Sequence, residues 1–160
     1  MKDQPEPILP AENAARLVRI TDIARSLGYQ GKVEYRHLYG QSGGAQYCIG
    51  PSADDDIIVA YAEAFERDAD PDDYKLDAQI AHECGHQRLH RDPKFRPVVA
   101  QYPGDDYEEI LASLIGSRLL GATDSAQTLV LRATAELSDM GMSNEDVVLT
   151  LDHLGQILEP

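Results

Sequence analysis

His82-Glu83-Cys84-Gly85-His86 is the segment of this 160-residue chain whose residue types could do chemistry. On a helix, His82 and His86 lie four residues apart, so both imidazoles leave one face and can hold one metal ion. Glu83 stands beside them, where it can take a proton from water activated at that ion. This H-E-x-x-H spacing is the pattern of zinc-dependent peptidases, and the chemistry it predicts is metal-assisted hydrolysis. Leu76-Asp77-Ala78-Gln79-Ile80-Ala81 precedes it and is good helix-forming material. Gly85 is a poor helix former, and between two candidate ligands it suits close approach by another backbone.

A catalytic zinc takes three protein ligands and leaves one position open, so a third ligand must come from elsewhere. His90 is near in sequence, but positions i, i+4 and i+8 of a straight helix cannot reach one tetrahedral ion. Gln87-Arg88-Leu89 offers no glycine at which the helix would break. His90 is therefore read as support for the ligands, or as packing. Glu109 is the better candidate. It belongs to a predicted helix opened by Asp105 and Asp106. Ala112, Ser113 and Gly116 follow it at offsets of three, four and seven, forming a stripe of small residues on its face. Such a stripe lets two helices approach closely enough for a Glu side chain to reach the ion. Glu108 is rotated by about 100° and is expected to face solvent.

His82-Glu83-Cys84-Gly85-His86-Gln87-Arg88-Leu89-His90, followed by Glu109-Ile110-Leu111-Ala112-Ser113 and Ile115 to Leu120, resembles the ImmA/IrrE family of zinc peptidases. The turn Gly141-Met142-Ser143 between two predicted helices is similar to that family's tail. The resemblance spans roughly residues 76–157. It implies His82, His86 and Glu109 as Zn²⁺ ligands and Glu83 as the catalytic base. Ser113 stands where the family commonly has Asn or Asp, and Gly121 where it has proline. The resemblance also implies a protein substrate: a DNA-binding repressor of a mobile element or stress response, a transcriptional regulator cut to release its genes.

These residues need a frame. Residues 1–10, proline-rich and polar, read as a flexible lead-in, and 11–160 as a single domain. Leu17, Ile20, Ala24 and Leu27 predict a helix near 11–27, stopped by Gly28. Alternation from Lys32 to Tyr39, a turn over 40–44, and apolar runs at 45–49 and 56–61 predict three strands. His37 is expected to be packed or paired, and 66–73 to be a solvated acidic loop. Pro93, Pro97 and Pro103 suggest a loop or lid over 91–103. Residues 124–158 read as a helical hairpin, with Ser143 capping its second helix. The fold class expected is α+β and zincin-like: a small antiparallel sheet packed on the H-E-x-x-H helix, with a C-terminal helical pair. The strand around Ile57-Ile58-Val59 is expected at or next to the sheet edge, where a peptide could add as a further strand.

A net charge of −14 argues against direct binding to nucleic acid or to an anionic membrane. The helical hairpin resembles a helix-turn-helix, yet Asn144 to Leu154 contains no Lys or Arg to neutralise phosphates. The N-terminus lacks the apolar core of a signal peptide and no run is long enough to span a bilayer, so a cytoplasmic protein is expected. In that compartment Cys48 and Cys84 are not expected to pair. The leading expectation is a zinc metallo-endopeptidase, with a second oxyanion donor to be found among Tyr102, Tyr107, His90 and Arg118. The competing expectations are a non-catalytic zinc-binding regulatory module and a zinc hydrolase of non-peptide amides.

Overall fold

The structure is a computed structural model that describes residues 3–41 and 43–159. Met1 and Lys2 of the expected lead-in, and Ser42 of the expected turn, lie outside them. Ten elements are used below: α1 (Pro10–Ser26), β1 (Lys32–Arg36), β2 (Ala45–Cys48), β3 (Ile57–Tyr61), α2 (Ala62–Ala69), α3 (Leu76–Arg91), α4 (Arg96–Gln101), α5 (Asp105–Leu120), α6 (Asp124–Asp139) and α7 (Asn144–Ile157). The architecture is α+β. No helix among the described residues is long and apolar enough to cross a membrane.

The sheet is mixed rather than antiparallel, with strand order β1-β3-β2. β1 runs parallel to β3, with Lys32 opposite Ile57, and β2 runs antiparallel to it, with Ala45 opposite Ala60. Two-residue alternation sets which side chains face the core, but it carries no information on strand direction. β3, buried from Ile58 to Tyr61, takes the centre, and β2 is the edge beside α3.

α3 is the axis of the molecule and is buried almost all round. On one side Ile80 and Cys84 join Ile20, Tyr35 and Ile58 in a core shared with α1 and the sheet. On the other side Leu89 joins Ile110, Leu111, Leu137 and Leu154 in a core shared with α5, α6 and α7. α3 lies between the two cores, and Leu119 of α5 packs against both. Gly85 and Gly116 let the backbones of α3 and α5 nearly touch. A Cβ on Gly85 would lie 2.1 Å from the Ala112 carbonyl oxygen, and one on Gly116 2.6 Å from that of Ala81. This contact sets Glu109 over the α3 histidines.

Two further expectations need correction. Glu66 to Ala69 continue α2, and only the residues from Asp70 leave the helix. The 91–103 segment is not a lid: a 3-10 turn at Pro93–Phe95, capped by Asp92, leads into α4, and Phe95 and Val98 are buried in the α5–α7 core. Pro93 and Pro97 occupy first-turn positions, where a missing N–H costs nothing. Ahead of α1, Gln4 Oε1 accepts the Tyr39 N–H and the Glu6 carbonyl pairs with His37. In the tail, Thr123 caps α6 and Ser143 accepts the Asp146 N–H at the start of α7.

Candidate metal centre

α3 presents His82 and His86 with ring centroids 4.9 Å apart and planes near perpendicular. Their Nε2 atoms converge on one carboxylate from α5. His82 Nε2 lies 2.8 Å from Glu109 Oε2, and His86 Nε2 lies 3.3 Å from Glu109 Oε1. The opposite ring nitrogens are both held. His82 Nδ1 lies 2.8 Å from Ser113 Oγ, and His86 Nδ1 lies 2.8 Å from Glu108 Oε2. Pinning Nδ1 fixes the ring plane and leaves Nε2 to face inward, as a metal-ligating histidine requires.

These donors fit a small divalent ion. Such an ion, held by imidazole nitrogen and carboxylate oxygen at about 2.0–2.2 Å, sets neighbouring tetrahedral donors roughly 3.3 Å apart. The His86–Glu109 distance of 3.3 Å equals that value, whereas the His82–Glu109 distance of 2.8 Å is a direct hydrogen bond that an entering ion would open by about half an ångström. Ligand atoms of His82, Glu83 and His86 also lie within 4.8 Å of one another, so this group could hold a metal ion. The two glutamates beside the histidines differ, however. Glu109 reaches both Nε2 atoms, whereas Glu83 is 7% exposed and makes no hydrogen bond among the described residues. Glu109 thus engages both imidazoles, and Glu83 is a carboxylate with free lone pairs.

Electrostatics separate the groups further. Burial pushes the Glu83 carboxyl up to about 7, with the Glu109 charge adding to the shift. Hydrogen bonds from His82 and His86 hold Glu109 well below the usual carboxylate range. Burial pushes His82 down, towards neutral imidazole. Burial also opposes charge on His86, yet its hydrogen bonds to Glu108 and Glu109 outweigh burial and raise it. A cation on the Nε2 side would replace the proton facing Glu109, while Glu108 keeps the one on Nδ1.

Glu108 does not face solvent as expected. Its second oxygen lies 3.3 Å from His90 Nε2, so one carboxylate bridges His86 and His90. His90 is directed at Glu108 rather than at the point where His82, His86 and Glu109 meet. Tyr47 of β2 covers both rings, stacked 6.1 Å from His86 and 5.9 Å from His90. Its hydroxyl donates to Asp56, which is fully buried. Asp56 also accepts from the Gly50 N–H, Gln87 and two nitrogens of Arg91. The edge strand is thereby pinned beside the histidines.

A cleft of about 330 Å³ opens over the centre, bordered by Gly44 to Tyr47 of the edge strand and by His82, Glu83 and Glu109. Arg132 of α6 also lines it, with Nη2 3.9 Å from Glu109 Oε2. Neither Arg132 nor Glu108 was picked out by sequence. For Glu108, adjacency to Glu109 was the available signal; for Arg132 there was none, since α6 carries no local motif. Of the oxyanion donors considered, Arg118 is held by the Gly155 carbonyl and Glu159. Tyr102 packs on Tyr107 and bonds His153. His37 pairs with Tyr35. Cys84 is buried in the core, and burial pushes its thiol up to about 12.

Compared with protein-family models, with curated proteins and with solved structures, the chain matches none.

Proposed function

We propose that this chain is a zinc-dependent endopeptidase of the ImmA/IrrE type that cuts a protein partner. One observation carries the reading. Two imidazole nitrogens and a carboxylate from separate helices converge within 3.3 Å, beside a buried glutamate that has no hydrogen-bond partner among the described residues. His82, His86 and Glu109 would hold the ion, and two nitrogens with one carboxylate oxygen suit zinc. When bound there, zinc supplies Lewis acidity and brings the pKa of a water ligand towards neutrality. Glu83, lifted towards neutral pH by burial, takes the proton from the attacking water and delivers it to the leaving amide nitrogen. Ser113 and Glu108 keep the imidazoles in orientation.

Among the described residues β2 pairs with β3 alone, and β2 borders the cleft. An extended peptide laid along that edge strand would gain main-chain hydrogen bonds and pass over Glu83. This favours peptide over other amides. The partner we propose, from the sequence resemblance, is a DNA-binding repressor, and the site in question is a cytoplasmic one. The strongly negative chain is not itself suited to grip nucleic acid.

The test is capture and cleavage. Zinc-loaded Glu83→Gln is expected to retain the partner uncut, and the wild-type protein to cleave that partner at one peptide bond, as read by mass spectrometry. Cleavage by Glu83→Gln at the wild-type rate would refute the mechanism. Bound zinc with intact partner in both proteins would leave a binding module.

A further inference from the structure

We infer that Arg132 is a second electrophile of the site, donating to the substrate carbonyl oxygen as that oxygen gains charge. The inference rests on the peptidase reading, which the sequence could not equip with such a donor.

Arg132 enters the cleft from α6, beside Glu109. Three contacts fix its head. Nε lies 3.3 Å from Glu136 Oε1, the guanidinium stands 5.6 Å over the Tyr74 ring, and Nη2 lies 3.9 Å from Glu109 Oε2. The last distance is too long for a hydrogen bond. The N–H bonds of Nη1 and Nη2 are therefore uncommitted among the described residues. A guanidinium keeps its proton at any pH of interest, so it stabilises charge without taking part in proton transfer. It is also preorganised, because Glu136 and Tyr74 hold it before substrate arrives. Preorganised donors aimed at developing charge are worth most where water is largely excluded. Of the other candidates, Arg118 is occupied by Glu159, Tyr102 by His153 and His90 by Glu108, while Tyr107 packs on Tyr102 and does not line the cleft.

The step balances simply. As water adds to the carbonyl carbon, the C=O π pair moves to oxygen, and Arg132 hydrogen-bonds that oxygen. When the C–N bond breaks, the pair returns, and the proton held by Glu83 leaves on nitrogen. Arg132 ends as it began.

The competing role is structural: Arg132 could serve only to steer Glu109 onto the ion. The experiment separates the two with zinc-loaded, full-length Arg132→Met, Arg132→Lys and, as a control, Arg67→Met. Arg67 lines the same cleft but faces Asp73 at 3.9 Å. Zinc affinity is measured with a chelating indicator, phosphate affinity by calorimetry, and kcat and KM on unstructured casein. Arg132→Met is expected to lower kcat about 10²–10³-fold with KM little changed, as when one oxyanion donor is lost. Phosphate binding should weaken at least about tenfold, zinc affinity should hold, Lys should restore part of both losses, and Arg67→Met should do little. A loss of zinc affinity that accounts for the whole loss of rate would overturn the inference, as would unchanged phosphate binding. If the wild-type protein cleaves neither casein nor the captured partner, the peptidase reading falls, and the phosphate measurement still decides whether Arg132 receives an anion.

Discussion

Asp56 and Glu83 are both carboxylates withdrawn from water against α3, and the protein treats them in opposite ways. Asp56 is saturated: the Tyr47 hydroxyl, the Gly50 N–H, Gln87 and Arg91 all donate to it. Burial alone would raise its pKa, but those donors, Arg91 foremost, hold it well below the usual range. Glu83 has no donor at all among the described residues, and burial carries it up to about 7. A buried carboxylate with every lone pair engaged fixes structure, because it has nothing left to offer a moving proton. One with lone pairs open to a cleft is costly to the fold and suited to proton transfer. The contrast separates a clamp from a carboxylate suited to act as the proposed base, without reference to any motif.

The same chemical change at the two positions is the sharpest test, because it removes one charge and little volume from each. Glu83→Gln is expected to lower turnover of the captured partner by about 10²–10⁴-fold. Its denaturant midpoint should shift by no more than about 1 kcal/mol, since no hydrogen bond is lost. Asp56→Asn should do the reverse, destabilising by about 3 kcal/mol because Arg91 keeps its charge and loses its partner. The Asp56 term also has a pH signature. Its folded pKa is depressed, so its stabilisation is fully present above the unfolded value of about 3.9 and fades as pH falls through the lower folded value. Wild-type and Asp56→Asn unfolding midpoints should therefore converge in acid and separate above about pH 4. Equal midpoints at neutral pH would mean that Asp56 is not the clamp described.

The two regions were unequally legible in sequence. His82, His86, Glu109 and Ser113 could be read because helix geometry turns sequence offsets into faces, and Gly85 with Gly116 marked where two faces meet. Glu108 was misread for a related reason. Its offset from Glu109 gives a direction about its own axis, but only the crossing of α5 over α3 decides whether that direction ends in water or at His86. The Asp56 clamp draws on β2, the following loop and α3, and Arg132 comes from a helix further on. Neither has a local period to betray it. The sheet shows the same limit: alternation predicted strands, yet pairing direction depends on where the chain crosses, which made the sheet mixed.

Gly85→Ala probes the base's half of the comparison alone. Its new Cβ would meet the Ala112 carbonyl at 2.1 Å, so α3 and α5 must part. Overpacking of this kind destabilises by about 1–3 kcal/mol. Parting α3 from α5 moves Glu109 off the α3 histidines, so zinc affinity should fall together with stability. The Asp56 clamp lies towards β2 and the following loop, so the Asp56-dependent pH shift should survive. Native-state hydrogen exchange resolves this: faster exchange in α5 with unchanged protection in β3 is expected, and uniform acceleration would show that the two regions unfold as one.

Glu108→Gln asks about a carboxylate that belongs to both kinds. It is bonded, like Asp56, to His86 and His90, yet it borders the cleft, like Glu83. Its hydrogen bonds to His86 hold it below the usual carboxylate range. The amide oxygen of Gln can still accept from His86 Nδ1, so the ring stays oriented and the fold should be unaffected. What disappears is the negative charge that makes the imidazole a stronger donor through Nε2. Loss of such a supporting group lowers metal affinity by about 10–100-fold. Zinc titration against a chelating indicator should therefore shift, with kcat at saturating zinc close to wild type. An unchanged titration would class Glu108 with the clamp, as a group that holds a ring in place and contributes nothing through its charge.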